Sequence, residues 1–143
     1  MRVDSQLLFS DAQAVTATAV STNVIDFNQI RDIGIGEPLF LVVSVAVAMT
    51  DASSDSTVAV SIETDDNVDF NSATVVRTIG TFAAVSAAGT QLIIPIARGD
   101  FNERYGRLRY TVAGGSLTTG SFDAFICRDP DQDRKYADNI TIS

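Results

Sequence analysis

The chain has 143 residues, a formal net charge of −8 and a sequence pI near 4.2. So acidic a chain lacks the basic patch that displaces counterions from phosphates or holds a protein on anionic lipid, which argues against nucleic-acid and membrane-surface partners. Its 45% hydrophobic and 20% charged residues suit one globular domain with its own core, and its 15 Val, 12 Ile and 14 Thr favour strands over helices.

Strand-like runs separated by turn signals follow one another along the chain. "AVTATAV" (14–20) alternates Val15, Ala17 and Ala19 with Thr16 and Thr18, then breaks at "STN" before "VIDF". "RDIGIGEP" (31–38) is a turn region, and "LFLVVSVAVAM" (39–49) is apolar on both faces, as a strand between two layers would be. "TVAVSIET" (57–64) puts Val58, Val60 and Ile62 on one face, and "ATVVRTI" (73–79) is a further strand. "FAAVSAAGT" (82–90) fits no element clearly. Pro95 inside "QLIIPIA" (91–97) marks an edge strand or a bulge. "RLRYTVA" (107–113) alternates Arg107, Arg109 and Thr111 with Leu108, Tyr110 and Val112, a half-buried strand with a polar outer face. "SFDAFIC" (121–127) follows the turn "GGSLTTG", and a charged stretch leads to Ile140 and Ile142. About eight strands with regular turn signals and no clear amphipathic helix read as an all-β sandwich or jelly roll, a single domain over 1–143.

Charge is uneven. Residues 1–76 hold two basic and eleven acidic residues, whereas 77–143 hold eight basic and seven acidic. Nine of the ten basic residues are Arg, the side chain suited to fixed polar pairing at interfaces, and Lys135 is the single lysine. The single cysteine, Cys127, lies in an apolar run and is expected to be a small buried hydrophobe in a chain made in a reducing cytoplasm. The opening residues lack the basic and apolar regions of a secretory signal, and the 11-residue run 39–49 is too short to span a bilayer.

No constellation for chemistry stands out. The chain has no His, which removes Ser-His-Asp, Cys-His and His-metal arrangements together. Asp65, Asn67 and Asp69 have the opening spacing of a calcium loop, as do Asp129, Asp131 and Asp133. The Gly and Glu that such a loop needs at its sixth and twelfth positions are replaced by Phe70 and Val76, and by Arg134 and Ile140. Both clusters therefore read as solvated loop acids, with an adventitious Ca²⁺ site as the alternative. "GIG" (34–36) and "RGD" (98–100) read as turns. Arg104, Arg107 and Arg109 with Tyr105 and Tyr110 could form a base-stacking platform, but in so acidic a chain a strand face or subunit contact fits better. No cofactor, metal or catalytic residue is assigned, and no enzymatic activity is expected.

The opening "LLFSDAQAVTATAVSTNVIDF" (7–27), followed by "RDIGIGEPLFLVVSV", resembles the start of the Bbp16-type capsid cement proteins of tailed bacteriophages. "VSIETDDNVDFNSATVV" (60–76) and "ERYGRLRYTVAGGSLTTGSFDAFI" (103–126) extend the resemblance in the same order, and the region after Asp129 departs from it. The resemblance implies a trimeric jelly-roll decoration protein on the outer surface of the phage head, made in the host cytoplasm. Such a protein binds the major capsid protein, bridges neighbouring capsomers and reinforces the shell. On that reading 1–27 and 128–143 are candidate docking arms. Leu7, Leu8 and Phe9 either anchor a neighbour or plug the domain's own core, and Arg104, Tyr105, Arg107 and Arg109 are the candidate subunit contact. A jelly-roll carbohydrate- or receptor-binding module on the phage surface is the alternative, although the chain has no Trp and only three Tyr for stacking on sugars.

Overall fold

Period-two alternation decides which side chains go inward, and register decides which of them meet. A computed structural model of the chain describes residues 4–29, 36, 38–128 and 130. A short 3₁₀ turn at Ser5–Leu7, capped by the Asp4 carboxylate on the Gln6 N–H, leads into strand β1 (Leu8–Ala14). The strands that follow are β2 (Ala19–Val20), β3 (Ile25–Asp26), β4 (Phe40–Thr50) and β5 (Thr57–Asp65). After them come β6 (Thr74–Phe82), β7 (Gln91–Pro95), β8 (Tyr105–Ala113) and β9 (Thr119–Cys127).

Two antiparallel sheets result, in the orders β1-β9-β4-β7 and β2-β8-β5-β6, with β3 also on β8. β2 and β3 act as one interrupted strand along β8. Between them Ser21 donates its N–H to the Leu108 carbonyl and accepts the Leu108 N–H on its hydroxyl. Counted so, eight strands fill two four-strand layers, the arrangement of a jelly roll.

The core lies between the sheets. Leu41, Val43 and Val45 of β4 and Phe122, Ala124 and Ile126 of β9 face Val58, Val60 and Ile62 of β5 and Leu108 and Tyr110 of β8. Each Val, Leu, Ile or Phe among them, fully removed from water, contributes about 1.5–3 kcal/mol. Aromatic rings fill the two ends: Phe101 packs on Phe9 and Phe27 with centroids 5.9 and 5.6 Å away, and Phe122 packs on Tyr110 and Phe82 at 5.3 and 5.2 Å. An ion pair ties the layers at one edge. Arg77 of β6 donates from Nε and Nη2 to the Asp100 carboxylate at 2.8 and 2.7 Å, and Asp100 also accepts the Ala97 N–H.

Most expected strands stand within a residue or two of their predicted bounds, and β7 with its Pro95 is an edge strand as the proline requires. The stretch 14–20 differs. Only its ends are strand, Ala14 closing β1 and Ala19–Val20 forming β2, because the chain here crosses from the first sheet to the second. Val15 drops into the core, the Thr16 carbonyl accepts the Leu117 N–H, and the Thr18 hydroxyl accepts the Val112 N–H. The unassigned stretch 82–90 ends β6 at Phe82 and then runs beside β4, its Ser86 and Thr90 carbonyls accepting the N–H groups of Met49 and Val45.

Candidate functional site

The outward side of β8 carries Tyr105, Arg107 and Arg109 in alternate positions. Register places Glu63 of β5 directly opposite Arg107 and one step diagonal from Arg109. Both guanidinium groups converge on it: Arg107 Nε donates to Glu63 Oε2 at 2.7 Å, and Arg109 Nε donates to Oε1. Glu63 is only 2% exposed although it points away from the sandwich core, because the arginines cover it. Burial by itself would raise its pKa, but the hydrogen bonds from Arg109 and Arg107 outweigh burial and hold the carboxyl below its ordinary value. Arg107 also lies over the Phe70 ring, 4.1 Å from its centroid, and Phe70 is fixed by its N–H to the Asn67 carbonyl.

This arrangement favours binding over catalysis. Glu63 is ionised and occupied by two cations, so it is neither a proton donor nor an available nucleophile. Two guanidinium groups share one carboxylate, leaving one unit of positive charge on an otherwise acidic molecule. The Arg109 side chain is 36% exposed while its Nε is tethered, so its outer N–H groups face solvent in a nearly fixed direction. A tethered arginine loses little rotamer freedom on meeting a carboxylate or a carbonyl, which is the property of an interface anchor.

The other expected contact residues are spread over several environments. Arg104 pairs with Asp26 of β3 through Nε and Nη2 at 3.0 and 3.1 Å and lies over the Tyr105 ring at 4.9 Å, in an exposed pair beside the Glu63 cluster. Leu7, Leu8 and Phe9 do not form one surface. Phe9 is wholly buried against Phe101, so it serves the chain's own core and is not a surface anchor. Leu7 packs on that same core, while Leu8 points to the outward side of the first sheet.

The acidic motifs are spent on local structure. Asp65 accepts the N–H groups of Asn67 and Ser72 at 3.1 and 2.8 Å, and Asn67 accepts that of Asp69. The Asp of "RGD", Asp100, is buried in its pair with Arg77. Asp129, Asp131 and Asp133 lie outside the described residues, as does most of the candidate arm 128–143. Among the described residues no three His, Cys, Asp or Glu side chains converge as a metal site would require. Nor is any described helix long and apolar enough to cross a membrane.

The Bbp16 family model matches residues 9–126, from the second residue of β1 to the penultimate residue of β9. The chain belongs to the Bbp16 family. That family name suggests a bacteriophage protein. A search of curated proteins found no match. The Bbp16 match contains the whole Glu63 cluster and leaves out Leu7, Leu8 and the residues after Ile126.

Within the Bbp16 region, "SDAQAVT" proves to be structural. Ser10 and Gln13 bracket a bulge in β1, where Ala12 takes a positive φ of 46° and donates its N–H to Asp123. Ser10 donates to Gln13 Oε1 and accepts from the buried Tyr110 hydroxyl, both at 2.8 Å. Gln13 then donates to the Val20 carbonyl and accepts the Thr22 N–H. Sequence reading missed Glu63 and Phe70. Parity along β5 points Glu63 outward with Ser61 and Asp65, but only the pairing of β5 with β8 reveals the arginines that cover it.

Proposed function

We propose that this Bbp16 protein is a non-enzymatic structural component of a phage virion, a decoration or cement protein. It assembles as a homotrimer on the outer surface of the head, binds the major capsid protein, bridges neighbouring capsomers and stabilises the shell. The observation that carries this reading is the Bbp16 match across β1 to β9, taken with the cement-protein resemblance of its segments. The architecture supports it. A shell-reinforcing protein needs a stiff body and broad faces, which a jelly roll cross-tied by Arg77–Asp100 and Ser10–Tyr110 supplies. The outward face of β8 and β5, with Arg109 as its tethered anchor, is assigned to the contact between copies.

The test is the mass of the purified protein in solution, followed by co-sedimentation with expanded, undecorated heads. The expected result is a trimer that saturates heads at a fixed ratio and raises their melting temperature. Arg109→Lys, which keeps a positive charge on Glu63 and removes the outer guanidinium donors, should lower the trimer's stability with the monomer fold retained. A monomer that ignores heads and binds polysaccharide instead would overturn the reading in favour of a receptor-binding module.

A further inference from the structure

The outward side of β8 and β5 continues across β6 and into the loop after β5. Arg107, Glu63 and Val75 are paired in one row, and Val20, Arg109, Ser61 and Thr78 in the next. Val75 is 55% exposed, and Val68, in the loop between β5 and β6, is 56% exposed. They are two of the four large hydrophobic residues that the described chain leaves in water. Exposed apolar side chains beside tethered arginines are the composition of a contact surface.

That loop is held to one shape. Asp65 is buried and accepts the N–H groups of Asn67 and Ser72, and Asn67 accepts that of Asp69. Phe70 takes a φ of 52°, unfavourable for so bulky a residue, and is kept there by the Arg107 guanidinium over its ring and by its N–H bond to the Asn67 carbonyl. The fixed loop presents Asp66, Val68 and Asp69 to solvent. No described residue engages the carboxylates of Asp66 and Asp69.

Two surfaces of one chain are thus complementary. Arg77 and Arg104 each have a carboxylate of their own, whereas Arg107 and Arg109 share Glu63, so spare positive charge lies at Arg109, beside the half-buried Val20. The loop offers the opposite, two carboxylates flanking an apolar side chain. Asp11 and Asp55 are also exposed acids, but their chain neighbours are Ser10 and Ala12, and Ser54 and Ser56, which bring no large apolar side chain to bury. A closed trimer is built from one head-to-tail contact between two different patches, repeated around the ring. Resting on the trimer reading above, we propose that the loop 65–72 of one copy seats on the Arg109–Val20 patch of the next. The Asp66 and Asp69 carboxylates accept the outer N–H groups of Arg109, and Val68 packs on Val20.

The sign of a charge deletion separates this contact from any other. Asp66→Asn with Asp69→Asn removes two negative charges from a chain of net −8, which relieves repulsion between copies and would tighten a trimer in which the loop takes no part. Here the double variant should loosen it, raising the protein concentration at half-dissociation about tenfold in sedimentation equilibrium. An unchanged or tighter trimer would overturn the proposal. A second measurement locates the partners. Chains carrying Val20→Cys, co-refolded with chains carrying Val68→Cys, should be joined by a short bis-maleimide only in the mixture, since Cys127 is buried. A wild-type trimer whose mixture gives no link, or whose single variants link to themselves, would overturn the loop contact and leave the trimer standing. A wild-type chain that stays monomeric would overturn both.

Discussion

Glu63 is charged, nearly inaccessible and on the outside of a sheet, a combination that works only while both arginines stay on it. Glu63→Gln keeps the shape and leaves two guanidinium groups facing each other without a counter-charge. Because both arginines reach solvent, the expected loss is below that of a fully buried pair, about 1–2 kcal/mol in urea denaturation at pH 7. The pH dependence follows in sign. Glu63 and Asp100 are both held below their ordinary values of 4.5 and 3.8 in the folded chain, burial being outweighed in each by arginine hydrogen bonds. The stability they provide is complete above those values and is lost as pH falls through the lower folded ones, so Glu63→Gln should flatten the acid limb of a stability–pH curve. Tyr110 has the opposite sign. Burial pushes its hydroxyl up to about 12, against the weaker pull of Ser10, so the folded state prefers the neutral phenol. Stability is unaffected below the ordinary value of 10 and falls as pH rises from there through about 12. Tyr110→Phe should lower stability by about 1 kcal/mol at pH 7, through the lost bond to Ser10, and make the alkaline decline shallower.

At the level of elements, β8 is built around a position with no room for a side chain. A Cβ on Gly106 would sit 2.7 Å from Phe101 Cδ1 and 3.2 Å from Phe27 Cε2, inside the aromatic group that closes that end of the sandwich. Gly106→Ala should therefore cost about 1–3 kcal/mol by overpacking, measured as a lower urea midpoint with unchanged slope. What the sequence could disclose follows the same logic. Alternation in 57–64 and 107–113 named the inward residues correctly, because a half-buried strand writes its two faces into its sequence. The same alternation in 14–20 misleads, since this stretch serves a crossing between sheets in which only Val15 is buried and Ala17 is exposed, while Thr16 and Thr18 accept backbone N–H groups. Phe9 could not be placed from sequence because core and contact surface select the same aromatic. Glu63 depends on the pairing of β5 with β8, and the Ser10–Gln13–Tyr110 chain on packing between the two sheets that joins residues 100 positions apart, neither of which a local pattern encodes.

Over the whole molecule, charge and topology act together. The net charge of −8 repels copies at long range, and the contact proposed for Arg109 would work only at short range, so the proposed trimer should strengthen as salt screens the repulsion. A sedimentation series between low and physiological ionic strength checks this, with weakening on added salt as the contrary result.

The strand order has a consequence for how the protein is made. β8 and β9, the last two of the described strands to be synthesised, are interior strands: β8 lies between β5 and the β2/β3 edge, and β9 lies between β4 and β1. Until they leave the ribosome, the nascent chain can form only the β5–β6 and β4–β7 pairs, and β1 has no partner at all. A chain stalled before Tyr105 should accordingly be degraded by protease, whereas one whose first 127 residues have emerged should resist. Folding is thereby postponed until β9 has emerged, and a copy cut short before that strand lacks the pairs that complete both sheets.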